Sequence, residues 1–126
     1  MLLVKTKLGL SKIHGIGIFA DQPISKGTTV WKFNPLIDKY ISKSDLKQIP
    51  LVLQEQLHKY IFLDKNQKKY LLCGDDARFF NHSNKPNCDD SVDNVTTAIK
   101  EIKKGEELTV NYKLFYGNIE EHSEIK

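Results

Sequence analysis

The sequence predicts a mainly β domain, a β-rich α+β fold of short strands, and three observations carry that prediction. The chain has 126 residues, 40% hydrophobic and 28% charged, which is enough for one sizeable core but not two. Six short runs rich in β-branched and aromatic residues are separated by turn-forming glycine, proline and asparagine. A single segment has helical character.

Taken in order, the first expected strand is the Ile-Gly-Ile-Phe-Ala run at 16–20, followed by strands at 28–33, 60–64, 69–73, 95–99 and 107–112. Between the second and third, Ser42 or Ser44 can cap a short turn. Pro50 suits the first position of a helix through Leu51, Val52, Leu53, Gln54, Glu55, Gln56 and Leu57. An internal echo joins two of the strand starts: Ile24-Ser25-Lys26-Gly27 and Ile102-Lys103-Lys104-Gly105 each place Lys-Gly ahead of a strand. Two pseudo-equivalent hairpins and two unrelated Lys-Gly turns explain this equally well. The polar end after Gly117 is expected to fray or to pack over a site.

Composition removes several function classes. No run approaches the roughly 20 apolar residues of a membrane span, and the Met1-Leu2-Leu3-Val4-Lys5 start is too short for a secretory signal. Two cysteines, Cys73 and Cys88, are too few for a disulfide framework or a four-thiolate zinc site. An intracellular protein is expected, cytoplasmic or, in a eukaryotic or viral setting, nuclear. The formal charge of +3 comes from dispersed lysines, which argues against a dedicated nucleic-acid binder. Arginine occurs once, at Arg78, beside Phe79-Phe80-Asn81-His82. A planar fork of donors in an aromatic setting marks a fixed contact.

Three islands carry chemistry. The first is Ser11-Lys12-Ile13-His14-Gly15-Ile16-Gly17-Ile18-Phe19-Ala20. Its glycines permit a sharp turn and close backbone approach. A dinucleotide motif is ruled out because the run that follows reads as strand rather than helix. The second, Ala77-Arg78-Phe79-Phe80-Asn81-His82-Ser83-Asn84-Lys85-Pro86-Asn87-Cys88, joins donors and acceptors to aromatics more densely than a turn requires. The third is Lys104-Gly105-Glu106-Glu107-Leu108-Thr109-Val110-Asn111-Tyr112. It alternates Leu108, Val110 and Tyr112, which places a tyrosine on the apolar face at a strand end, where sites are commonly built.

In this order the islands resemble the SET-domain protein lysine methyltransferases. Tyr60-Ile61-Phe62-Leu63-Asp64 is similar to that family's Tyr-hydrophobic-Phe-hydrophobic-Asp strand. The resemblance covers roughly residues 4–116 and implies a SET domain at 1–116, with a tail at 117–126. The implied fold has several short curved sheets, a pseudoknot-like crossing and one short helical insertion. The implied activity is transfer of methyl groups from S-adenosylmethionine to a lysine amine of a protein or peptide. The resemblance assigns the cofactor to His14, Gly15, Ile16, Gly17, Arg78, Phe80, Asn81 and His82, with Tyr60 added, and the catalytic role to Tyr112. It places Phe33 in the lysine channel with Tyr60, Phe115 or Tyr116. Val110 stands where some relatives carry a larger residue that limits methylation, so the number of methyls stays open.

These residues suit the chemistry. A free lysine has a pKa near 10.4, so about one in two thousand is a neutral nucleophile at pH 7. An apolar channel and a neighbouring sulfonium both lower that pKa. A narrow channel aligns nitrogen, methyl and sulfur for in-line displacement. The chain departs from larger relatives in lacking their zinc-binding cysteines: Asn84 takes the first such position and no cysteine follows Cys88, so no structural zinc is expected. A homodimer is one way to supply a missing channel wall. The competing readings are a SET-fold scaffold of weak activity, a small basic nucleic-acid-binding module, and a metal hydrolase using His14, His82, Asp89 and Asp90. His58 and His122 read as surface residues.

Overall fold

Strands β1 (Thr6–Leu10) and β2 (Ile16–Ala20) form an antiparallel hairpin, in register from Thr6↔Ala20 to Leu10↔Ile16. The loop between them closes through the Ser11 side chain, whose Oγ accepts the Ile13 N–H at 2.9 Å. The Ser11 N–H reaches the Gly15 carbonyl at 2.8 Å, and Gly15 adopts a φ of +47°, a conformation open to glycine at little cost. The computed structural model describes residues 1–64 and 68–112. The expected domain end at 116, the tail at 117–126, and Phe115, Tyr116 and His122 lie outside the described residues.

The remaining elements in chain order are β3 (Thr29–Lys32), β4 (Lys39–Ile41), α1 (Lys43–Leu46), α2 (Leu51–Leu57), β5 (Ile61–Asp64) and β6 (Lys69–Leu72). A 3-10 turn at Asp76–Phe79 leads into β7 (Asn81–His82), β8 (Cys88–Asp89), β9 (Val95–Ala98) and β10 (Thr109–Val110). Among the described residues they make four small sheets: β1–β2, β3–β9–β8, β4–β6–β5, and the parallel pair β7–β10. None of the described helices is long and apolar enough to cross a membrane.

Each expected strand is present, β2 with the expected bounds and the others with trimmed ends. The last is trimmed most, to Thr109–Val110. Glu107 makes only an isolated bridge to Phe19, and the Tyr112 N–H turns aside to His82 Nδ1 at 3.0 Å. Strands β1, β4, β7 and β8 lie outside the six expected ones; in β1 the alternating Leu8 and Leu10 are both exposed. Pro50 sits one place before the expected position, at the N-cap of α2. Of the two candidate serines, Ser42 is the cap of α1, accepting the Asp45 N–H at 3.1 Å.

The alternation in β5 divides the interior into two cores. Phe62 joins the main cluster with Ile18, Trp31, Leu71, Phe80, Leu108 and Val110. Ile61 and Leu63 face the other way, into a smaller cluster with Leu46 and Tyr70. Asp64, at the end of β5, is fully buried and accepts the Tyr40 hydroxyl at 3.2 Å. The Tyr40 hydroxyl also contacts Asn94 Oδ1. The two Lys-Gly turns prove equivalent and lie against each other. Ile24 and Ile102 exchange two backbone hydrogen bonds of 2.9 Å, while Gly27 and Gly105 adopt φ values of +91° and +95°.

A buried carboxylate fixes the loop before β4. Asp38 accepts the Asn34 N–H at 3.0 Å and the Gly74 N–H at 3.1 Å, and an oxygen lies 2.6 Å from the Met1 amino group. This draws the Ile37 carbonyl so near Gly74 that a Cβ there would lie 1.7 Å from the oxygen. Gly74→Ala is therefore expected to cost about 3 kcal/mol of unfolding free energy by urea denaturation, because a backbone carbonyl must move to make room.

Candidate active site

Glu107 ties the three islands together. Its carboxylate accepts the Ser11 hydroxyl at 2.7 Å and the Asn81 side-chain amide at 2.9 Å. The same amide of Asn81 lies 3.1 Å from the His14 carbonyl and 3.3 Å from that of Ile16. The carboxylate also packs on Gly17, where a Cβ would stand 2.5 Å from Oε2 and 2.8 Å from Cδ. The glycine is required for this close approach, since its own φ is not left-handed. Asn87 adds a second clamp: its amide donates to the Glu107 carbonyl at 2.8 Å, and its oxygen accepts the Thr109 N–H at 2.9 Å.

These bonds shape one wall of a cleft of about 300 Å³, lined by His14, Gly15, Ile16, His58, Lys59, Tyr60, Ile61, Phe62, Arg78, Phe79, Phe80, Asn81 and Tyr112. The Arg78 guanidinium carbon lies 5.6 Å from the Tyr60 ring centre and 5.7 Å from that of Phe79, and the two rings meet edge to face at 5.5 Å. Arg78 Nε is buried and has no hydrogen-bond partner among the described residues. The cleft therefore offers aromatic surface together with a charged donor held in place, a combination suited to a flat, partly anionic ligand.

Tyr112 closes the inner end. Its hydroxyl donates to the Phe80 carbonyl at 2.5 Å, and its ring packs on Phe62 at 5.6 Å and on His82 at 5.3 Å between centres. Burial, with the Asp90 and Glu107 carboxylates nearby, pushes its phenol well above the ordinary tyrosine range. The hydroxyl is neutral at physiological pH, and its proton is committed to a backbone carbonyl. What remains for chemistry is an oxygen lone pair.

The structure brings together at the cleft His14, Gly15, Ile16, Tyr60, Arg78, Phe80, Asn81 and Tyr112. Gly17 lies behind the wall, against Glu107. His82 serves the frame: its Nδ1 accepts the Tyr112 N–H at 3.0 Å, and its Nε2 lies 3.2 Å from Asn84 Oδ1. Phe33 is elsewhere, stacked on Tyr40 at 4.9 Å and lining a shallow groove with Pro35, Leu36 and Ile37. Val110 is buried in the main core. Phe115 and Tyr116 lie outside the described residues. Among the described residues, no group of three or more His, Cys, Asp or Glu side chains is placed to hold a metal ion.

Sequence reasoning missed His58, Lys59, Ile61, Phe62 and Phe79 at the cleft, and Glu107 as its organiser. A wider reading of the islands would have found Phe79, which adjoins Arg78. Glu107 gave a misleading signal, because alternation opposite Leu108 and Val110 points it to solvent.

Comparisons with known proteins converge. A family model described as "SET domain" matches residues 15–113. Histone-lysine N-methyltransferase trr of Drosophila melanogaster is 32% identical over 120 residues, covering 84% of this chain and 5% of that protein. Human Histone-lysine N-methyltransferase 2B is 30% identical over 112 residues, covering 82% of this chain and 4% of that protein. The chain thus spans a small fraction of these curated relatives. Among solved structures, Chaetomium thermophilum Polycomb Repressive Complex 2, in an autoinhibited conformation bound to S-adenosylmethionine, matches with a TM-score of 0.66. Identity there is 26%, over 94% of this chain and 16% of that one.

Two outcomes follow from the geometry. Glu107→Ala removes the shared acceptor of Ser11 and Asn81 and is expected to lower unfolding free energy by about 2 kcal/mol in urea denaturation. The folded chain holds the phenolic protons of Tyr112 and Tyr40 to higher pH than the unfolded chain does, both by burial first. Stability is then flat with respect to these groups below about pH 10 and falls as pH rises beyond it, which thermal melts across alkaline buffers would register.

Proposed function

The chain belongs to the SET-domain family, and on that premise we propose that it transfers methyl groups from S-adenosylmethionine to a lysine amine of a protein substrate. One observation carries the reading. Tyr112 presents a neutral hydroxyl, its proton held by the Phe80 carbonyl, at the inner end of an aromatic cleft with a fixed guanidinium. The relatives named as histone-lysine methyltransferases support a histone tail as the first substrate to test.

The cleft suits the cofactor on its own chemistry. Arg78, whose buried Nε has no hydrogen-bond partner among the described residues, would bind the amino-acid carboxylate. The rings of Tyr60, Phe79 and Phe80 offer a surface to the adenine. His14, Gly15 and Ile16 contribute backbone at the rim, held there by Asn81. When bound, S-adenosylmethionine supplies an electrophilic methyl group on a sulfonium.

The protein's own contribution is orientation and exclusion of water. The Tyr112 oxygen acts as an acceptor, directing the N–H bonds of the incoming amine while its own O–H stays donated to the Phe80 carbonyl. It is not the base: burial and two carboxylates oppose formation of a phenolate. Phe62 and Phe80 surround the reacting amine with apolar surface, which favours its neutral, nucleophilic form.

Calorimetry with S-adenosylmethionine and a radiolabelled methyl-transfer assay on histone octamers and whole lysate test this reading. Tyr112→Phe is expected to retain cofactor affinity while losing at least tenfold in turnover, because only the acceptor oxygen is removed. Arg78→Met is expected to weaken cofactor binding by about tenfold or more, through loss of a charge-assisted contact. A Tyr112→Phe enzyme with full turnover would remove Tyr112 from the chemistry.

A further inference from the structure

The cleft carries more positive charge than the cofactor requires. Among the described residues, Lys59 and Arg78 line it and no aspartate or glutamate does. Neither cation forms an ion pair with a described residue. Glu107 stands behind the wall, where Ser11 and Asn81 donate to its carboxylate. Arg78 is held against the rings of Tyr60 and Phe79, with its buried Nε lacking a hydrogen-bond partner among the described residues. S-adenosylmethionine brings one carboxylate together with an ammonium and a sulfonium, so its net charge at neutral pH is positive. Its carboxylate answers one of the two cations, and the lining holds no carboxylate for the ammonium or the sulfonium. In charge, the cleft is better matched to an anionic adenosine derivative.

We propose that the cleft also binds adenosine 5′-diphosphate, with adenine on its aromatic rings and the diphosphate on Arg78 and Lys59, and that this nucleotide competes with the cofactor. The binding stands on the lining alone, whereas the competition rests on the methyl-transfer reading above and names a regulator of that same site. Bond counting supports the fit. The outer oxygens of the diphosphate stand as many bonds from the ribose C5′ as the carboxyl carbon of the cofactor does. Both molecules therefore present an anionic end at a similar remove from the adenine. The diphosphate differs in being negative along its whole length, including the position that the sulfonium would take, and it has charge for both cations. A guanidinium can pair with two phosphate oxygens at once, and a lysine ammonium acts on phosphate as a point charge. Flat rings accept the adenine of either molecule.

The test is calorimetry on the full chain in magnesium-free buffer of low ionic strength, with adenosine 5′-diphosphate, adenosine and inorganic pyrophosphate as probes. The diphosphate is expected to bind about tenfold more tightly than either fragment, and to raise the apparent Kd of S-adenosylmethionine in proportion to its own concentration. In Lys59→Ala the preference for the diphosphate over S-adenosylmethionine is expected to fall about tenfold, because the lost cation attracts one ligand and repels the other. Adenosine or pyrophosphate binding as tightly as the diphosphate overturns the proposal. So does cofactor binding that the diphosphate leaves untouched, or an unchanged preference in Lys59→Ala. If circular dichroism shows the variant unfolded, the ranking of probes and the competition on the wild type decide. Diphosphate uptake by a chain that takes up no S-adenosylmethionine defeats the methyl-transfer reading and leaves the nucleotide site standing. Methyl transfer that the diphosphate does not slow defeats the nucleotide proposal only.

Discussion

The Glu107 carboxylate holds together segments that are far apart in sequence. It accepts from Ser11, ninety-six positions earlier, and from Asn81, twenty-six positions earlier, while filling the space left by Gly17. Through Asn81 it reaches the carbonyls of His14 and Ile16. Charge-assisted bonds of this kind are stronger than neutral ones, and partial burial of several polar groups around one anion makes a network costly to leave half-formed. The cleft exists because this network holds the β1–β2 loop against the Asn81 strand.

Around that centre the fold uses very short strands, and two-residue pairs do not hold themselves together. The β7–β10 pair is supported by side chains: Asn87 clamps both Glu107 and Thr109, and His82 takes the Tyr112 N–H. The paired Lys-Gly turns keep the beginning of β3 and the approach to β10 in step, since Ile24 and Ile102 bond each other in both directions. Side-chain clamps thus replace the long ladders that a larger sheet would provide.

Tyr112 shows how such a frame sets chemistry. The phenol lies at the junction of the Phe80 carbonyl, the Phe62 ring and the His82 ring. Each contact removes a degree of freedom, and the carbonyl claims the only proton. The same surroundings that raise its pKa leave a neutral phenol whose oxygen lone pair is held in a fixed direction.

Much of this was legible in the primary chain. Alternation and β-branched content marked the six expected strands, because a strand's period is local and its buried face must be apolar. The ordered islands marked the family and most of the cleft's polar lining. What the chain order could not disclose was which side of a short strand meets solvent. Alternation with Leu108 and Val110 points Glu107 outward, yet Gly17 leaves room for its half-buried carboxylate, and Leu8 and Leu10 alternate as core residues do but are exposed. Phe33 stacks on Tyr40 along a groove separate from the cleft, a placement its local sequence does not disclose. The sequence by itself determined composition, periodicity and the residue types available for chemistry, all of which depend on near neighbours. Only the tertiary structure decided which carboxylate meets which amide, because such contacts depend on how distant segments are brought together in space.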